Sequence, residues 1–447
     1  MTTEQKKQMM LGLASFGATG LNFRSWMDPV AKLESYPDIT VDIKAAQLAE
    51  KGKFQFMFFG DFPGTKAANN GDMQSMGLDP LLIATLIANH TSHIGFGITR
   101  ATSWSNPYEL ARQFKTLDAL SQGRVAWNAV TGANGVSANA YGIDLAHSFD
   151  RYSKANEFTE LVQTLWASWG KDALKLGHST KEFADYAQVK SINFKGQYVK
   201  SSGSLPIPPS QQGQPVIFHS GGSENSIAFA GKYADVFVGE VWTIEQGQAI
   251  RQALRQAAVA NGRQPDDIKF IAGVMPLLGD TKKEALERHA SFIDGDTFLQ
   301  RVAHIGYVLG VDFTPADLER PIDPSILDQI VITPYSDPRI ENVVKVAREG
   351  WTLRELVYHS VIDYYPAAVG TAQDVADHLT DWFESDAADG FWVMPDSYEV
   401  DLPRFVDEVV PILQERGIFH KDYEGTTLRE NLGVPYQYGL RGESEAN

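Results

Sequence analysis

The sequence predicts an α/β fold, a (β/α)₈ barrel carrying long inserted segments. Eight short apolar runs recur along the chain, separated by longer stretches with helical periodicity. Most of these runs are apolar on both alternating faces, as a parallel strand is when it lies between helices and a barrel interior. Two intervals, 133–214 and 280–365, are too long to be simple crossovers. A doubly wound open sheet satisfies the same periodicity, and the count of eight is what points to the barrel.

The first run, MMLGLASF (9–16), follows two lysines in a way that faintly suggests a signal peptide. It is short, broken by glycine and runs directly into patterned sequence, so it reads as a first buried strand of a cytosolic protein. The pattern IKAAQLAEKG (43–52) leads to the second run, FQFMFFGD (54–61). DPLLIATLIANH (79–90) precedes HIGFGITRAT (93–102), and NPYELARQFKTLDALS (106–121) precedes VAWNAVTG (125–132). Each helical stretch places apolar residues near i, i+3, i+4 and i+7. A long helix is expected over DRYSKANEFTELVQTLWASW (150–169), before a Ser/Gly/Pro-rich stretch and the fifth run, PVIFHSG (215–221). ADVFVGEV (234–241), the helix IEQGQAIRQALRQAAVANG (244–262), IKFIAGVMPLLG (268–279) and GFWVMPD (390–396) complete the set. Residues 1–440 are expected to form one barrel domain, with 441–447, RGESEAN, as a solvated tail. Insertions in a barrel usually sit at the C-terminal ends of strands and shape the site.

Of 447 residues, 43% are hydrophobic and 21% charged, a globular composition. Lys+Arg number 39 against Asp+Glu 56, for a net charge of −17, which disfavours nucleic acid and anionic membranes as partners. Cysteine is absent, which removes thiol nucleophiles, disulfides, zinc–thiolate sites and iron–sulfur clusters together. No apolar run reaches the roughly 18 residues of a membrane span.

The strongest chemical signal is HSGGSENSIAFAGKYADVF (219–237). A buried strand runs through Gly221, Gly222 and Ser223 into a helix, whose free N–H groups and positive dipole end favour a phosphate. A Ser-capped strand-to-helix turn is the structural alternative. Asp61 ends a strand ahead of Pro63 and Gly64, where a barrel places ligand chemistry. Asn128 and Thr131, at another strand end, can hydrogen-bond a polar heterocycle. In DRY (150–152), Arg151 and Tyr152 can reach a phosphate oxygen from the start of a helix. The ten histidines are scattered, without a metal-ligand spacing near a carboxylate cluster, and no G-x-S-x-G elbow occurs. Rim polar groups beside a phosphate pocket therefore leave the chemistry to a cofactor.

Taken together, the strand ending in Asp61, NPYELARQFKTLDALSQGRVAWNAVTG (106–132), DRYSKANEFTELVQTLWASW, HSGGSENSIAFAGKYADVF, AADGFWVMP (387–395) and VVPILQERGIFHKDYEGTTLRENLG (409–433) span nearly the whole chain. In them the chain resembles the bacterial-luciferase-like flavin-dependent monooxygenases, in the branch of nitrilotriacetate and dibenzothiophene-sulfone monooxygenases. The resemblance implies a TIM-like barrel. It also implies a two-component enzyme that receives reduced FMN (FMNH₂) from a separate NAD(P)H:flavin reductase and activates O₂ as a C4a-(hydro)peroxyflavin. One oxygen atom then enters a small organic substrate. It further implies that Asp61 and Thr99 contact the isoalloxazine, that Asn128 and Thr131 line its polar edge, and that Tyr152, Ser223 and the Gly222 amide hold the phosphate. His304, in AHIG, resembles a histidine near the reacting flavin of the sulfone enzymes, although leucines and valines around it also suit plain packing.

The chain departs from its relatives in three places. HSFDRY puts Ser148 where relatives often carry histidine before the helix, with His147 one residue early; either residue can take the phosphate role. GLNFRSW (20–26) lacks the histidines that often precede the matching tryptophan, and Val238 stands at a position that is aromatic in the sulfone enzymes. Val238 and Phe58 are expected in the substrate pocket, with Phe59, Trp104, Trp242 and Trp392 as candidates for an apolar wall. Sulfur compounds, amines, aminocarboxylates and hydrocarbons all remain open as substrates, and a homo-oligomer is expected. The rival readings are a deazaflavin-dependent hydride-transfer enzyme of the same superfamily and a non-catalytic flavin-binding protein, with a metal-dependent hydrolase third.

Overall fold

The computed structural model describes residues 7–440 apart from 16–18, 23, 31–32, 34, 65–76, 294, 334 and 364. The expected tail 441–447, Phe16 of the first run and Phe23 of GLNFRSW lie outside the described residues.

All eight predicted runs are barrel strands. They are β1 (Met10–Ser15), β2 (Phe56–Phe59), β3 (Gly95–Ala101), β4 (Val125–Val130), β5 (Val216–Ser220), β6 (Val236–Gly239), β7 (Lys269–Leu278) and β8 (Gly390–Val393). Each pairs in parallel with the next, and β8 returns to pair with β1, so the sheet closes and the open-sheet alternative falls. An additional strand, Ala367–Gly370, pairs with the far half of β7. The crossovers are α1 (Ile39–Lys51), α2 (Pro80–Ala88), α3 (Pro107–Leu120), α4 (Ser148–Trp166), α5 (Glu224–Tyr233) and α6 (Ile244–Ala260). The second insertion contributes α7 (Lys282–Ala290), α8 (Gly295–Leu309), α9 (Ile340–Ala347) and α10 (Leu353–Tyr358), and α11 (Ala372–Glu384) leads into β8. Most of these helices start on a side-chain cap: Asp38, Asp79, Asn106, Ser223 and Thr243 each accept a backbone N–H of the first turn. No helix among the described residues is long and apolar enough to cross a membrane.

The barrel interior is packed, with Phe56, Phe58, Phe218, Val238, Met275 and Trp392 in one buried cluster. A Cβ at Gly12 would stand 2.2 Å from the Phe56 ring, so glycine there is what lets a phenylalanine fill the axis. The bottom is closed by a short helix, Leu428–Leu432, whose leucines join the interior cluster while buried Arg429 meets Asp235 at 3.2 Å. The first insertion holds α4 and two antiparallel hairpins. The second has an apolar core of its own, built on Val302, Ile305, Val343, Leu356 and Val357.

Candidate active site

At the C-terminal rim of β2 to β5 lies a cavity of about 380 Å³. Strand ends supply Asp61, Thr99, Thr131 and Ser220; the β5–α5 turn supplies Gly221, Gly222 and Ser223; α4 supplies Ser148, Arg151 and Tyr152. Residues 160 apart in sequence meet here because parallel strands deliver all their C-terminal ends to one face.

One end of the cavity suits an anion. Ser223 caps α5, its Oγ accepting from the Ser226 amide at 3.3 Å. A side chain at Gly222 would project into free space, whereas one at Gly221 would collide with Ser226 Oγ. Behind this turn, buried His219 is bonded on both nitrogens, to Ala129 O at 2.6 Å and to Ser226 Oγ at 2.9 Å. Burial lowers its pKa to about 4, so it stays neutral and fixes the turn as a hydrogen-bonding strut. Across the cavity Arg151 donates Nη1 to Ala146 O at 2.6 Å, while its buried Nε has no partner. A guanidinium-bearing residue lining the same cavity as a helix N-terminus suits a phosphate.

The other end is polar and layered. Asn128 Nδ2 donates to Thr99 Oγ1 at 2.9 Å, and Ser220 Oγ donates to Asn128 Oδ1 at 3.2 Å, which ties β3, β4 and β5 together. Asp61 accepts from Arg100 Nη1 at 3.1 Å, and Arg100 Nη2 reaches Asp79 at 2.5 Å. Burial raises the Asp61 pKa and Arg100 opposes that rise. A wall is formed by Trp104, stacked on Tyr141 with centroids 5.6 Å apart and against which a Cβ at Gly132 (φ +72°) would collide.

The structure thus gathers Asp61, Thr99, Thr131, Ser148, Arg151, Tyr152, Gly221, Gly222 and Ser223, with Trp104 of the expected apolar wall. Asn128 stands behind the wall, holding Thr99 and Ser220. Of the two N-terminal candidates on α4, Ser148 lines the cavity; His147 is an exposed cap residue with no side-chain cap bond. Phe58 and Val238 are not on the cavity wall but in the packed interior, where Phe58 meets Trp392 at 4.7 Å. His304 lies outside the cavity lining, because α8 docks through Val302, Ile305 and Val308 into the insertion's own core. Its Nε2 lies 3.1 Å from Arg339 Nη2, and arginine only donates, so Nε2 accepts and Nδ1 carries the proton. Burial and then Arg339 lower its pKa.

Sequence reasoning marked Ser220 at the end of its strand but missed Arg100, Asn134 and Ser137. A charged residue inside the apolar run GFGITRA needs a carboxylate, and that signal points from Arg100 to Asp61. Nothing in the sequence marks Asn134 or Ser137, which belong to an ordinary Asn-capped short helix.

Fold and rim cavity are those of a parallel-barrel enzyme with a polar site at the C-terminal ends of its strands. Residues 22–389 match the family model described as luciferase-like monooxygenase. The chain belongs to that family. It is 33% identical to the N-acetyl-S-(2-succino)cysteine monooxygenase of Bacillus subtilis (strain 168), over 97% of this chain and 98% of that one. It is 35% identical to the dibenzothiophene-sulfone monooxygenase of Rhodococcus erythropolis, over 87% and 88% of the two chains. Among solved structures, the EDTA monooxygenase from Chelativorans sp. BNC1 superposes with a TM-score of 0.83 at 30% identity, covering 96% of this chain and 99% of that one. A riboflavin lyase solved with modified FMN and riboflavin superposes at 0.76 with 29% identity, covering 96% and 97%.

Proposed function

We propose that this chain is the oxygenase of a two-component system, using FMNH₂ from a separate NAD(P)H:flavin reductase to insert one atom of O₂ into a small organic substrate. The observation that carries the cofactor reading is the Ser223-capped N-terminus of α5 lining, together with Arg151 and Tyr152, one end of a cavity of about 380 Å³. Ser148, Arg151, Tyr152, the Gly222 amide and Ser223 would hold the phosphate of FMN, and Asp61, Thr99 and Thr131 would face its ring system, with Asn128 fixing Thr99 from behind. Reduced FMN, when bound, supplies the electrons that activate O₂. The chain's own contribution is to orient and to exclude water. Arg100 holds Asp61 in place, and His304, which does not line the cavity, is carried over from the family resemblance as a hydrogen-bond donor through Nδ1–H.

Supply of NAD(P)H places the pair in the cytoplasm. A homo-oligomer would cover exposed apolar residues such as Leu176, Phe183 and Tyr186 of the first insertion. The test is turnover. Purified chain with chemically reduced FMN, or with a reductase and NADH, should oxygenate a member of a substrate panel read by mass spectrometry. NADH alone should not support it, since no GxGxxG follows any strand. Oxygenation driven by NADH without a reductase would overturn the two-component reading.

A further inference from the structure

A second cavity of about 320 Å³ opens on the same rim, between the segment leading into α1 and the start of α2. Its wall is mostly aliphatic, with Leu33, Ile39, Val41, Leu78 and Ile83, and with Leu82 and Leu86 half out in solvent at the edge. Among the described residues, the ionisable groups on that wall are all acids: Asp38, Asp42, Asp79 and the phenol of Tyr36. Asp42 is 4% exposed, and its Oδ1 has no hydrogen-bond partner. Such an orphan carboxyl is expensive to keep and marks a place for a donor.

We infer that this second cavity binds an apolar amine, its ammonium against Asp42 and its hydrocarbon body along Leu33, Val41, Leu78 and Ile83. The all-acidic wall rejects a carboxylate of the same shape, and a neutral alcohol forgoes the ion pair. Asp79 connects the two cavities. It lines the second while holding Arg100, and Arg100 holds Asp61 of the first. That ion-pair bridge runs from one cavity to the other, and on the flavin reading above the amine is then the substrate class.

The groups facing Asp42 are Ser15 from β1, Tyr36 and Asp38 ahead of α1, and Asp79 ahead of α2. Burial raises the Asp42 carboxyl to about 7; the Ser15 hydroxyl pulls the other way, although Ser15 Oγ completes no hydrogen bond in this geometry. Amine affinity therefore rises with pH through that value, as the carboxyl ionises and the ammonium stays charged.

The probes are hexylamine, hexanol and hexanoate, titrated by calorimetry into the flavin-free full chain, with FMN titrated separately. Hexylamine should bind at least tenfold more tightly than the other two, and the isosteric Asp42→Asn should remove that preference. Leu82→Trp, a substitution at the exposed edge, should weaken hexylamine without touching FMN affinity. Equal binding of the three probes, or a hexylamine preference that survives Asp42→Asn, overturns the inference. Because FMN is measured apart, failure here leaves the flavin reading standing, and failure of FMN to bind leaves the amine site to its own result.

Discussion

Arg151 and Ser223 line the same end of the cavity, one a guanidinium, the other the cap of a helix N-terminus. Aspartate caps a helix about as well as serine, so Ser223→Asp should hold stability within about 0.5 kcal/mol. The added charge should still weaken FMN binding at least tenfold, measured by flavin fluorescence quenching. Asp42 makes the opposite kind of prediction, about stability. Its folded pKa, about 7, lies above the ordinary 3.8, so its contribution is full in acid and is lost as pH rises through the folded value. Wild type should lose on the order of 2–3 kcal/mol between about pH 5 and pH 8 that Asp42→Asn does not lose, read from urea midpoints. Identical pH profiles would contradict the burial argument. Among single residues, Asp61, Ser223 and Tyr152 were legible because strand ends and helix starts announce themselves. Arg100 and Asp42 were not, since each is defined by partners, or by a missing partner, remote in sequence.

At the scale of elements, all eight strands were legible from apolar runs alone, while boundaries moved by a few residues: the run 54–61 narrows to Phe56–Phe59, α1 starts at Ile39 instead of 43, and α4 spans Ser148–Trp166 instead of 150–169. The second insertion was legible as extra length but not as a body with its own core. Its attachment to the barrel is also a matter of long-range polar contact. Ser360 Oγ meets His289 Nε2 at 2.8 Å, and His289 Nδ1 meets Asp396 Oδ2 at 2.7 Å, joining α7 and the segment after α10 to the end of β8. The constellation has the order of a hydrolytic triad, but Ser360 is 0% exposed and no substrate can reach it. Ser360→Ala should therefore leave ester hydrolysis at background and cost about 1–2 kcal/mol of stability, by thermal denaturation. His304, on α8 of the same insertion, should show the reverse. His304→Ala should keep FMN affinity and fold, lower substrate oxygenation at least tenfold and raise hydrogen peroxide release. Oxygenation at the parental rate would return His304 to a packing role.

Taken whole, the molecule is a closed barrel sealed at the bottom by Leu428 and Arg429 and open at the rim, where two cavities of different character share the Asp61–Arg100–Asp79 bridge. The first is polar with a cationic, dipole-favoured end; the second is aliphatic and acidic. That division is what a flavin enzyme with a separate substrate pocket requires. It rests on the claim that the first cavity holds FMN by its phosphate. The direct measurement is the affinity of the full chain for FMN and for riboflavin, which differ only by that phosphate, in wild type and in Ser223→Asp. Wild type should prefer FMN by at least tenfold, and the variant should bind the two alike. Equal affinity in wild type, or a preference for FMN that survives Ser223→Asp, would contradict the account.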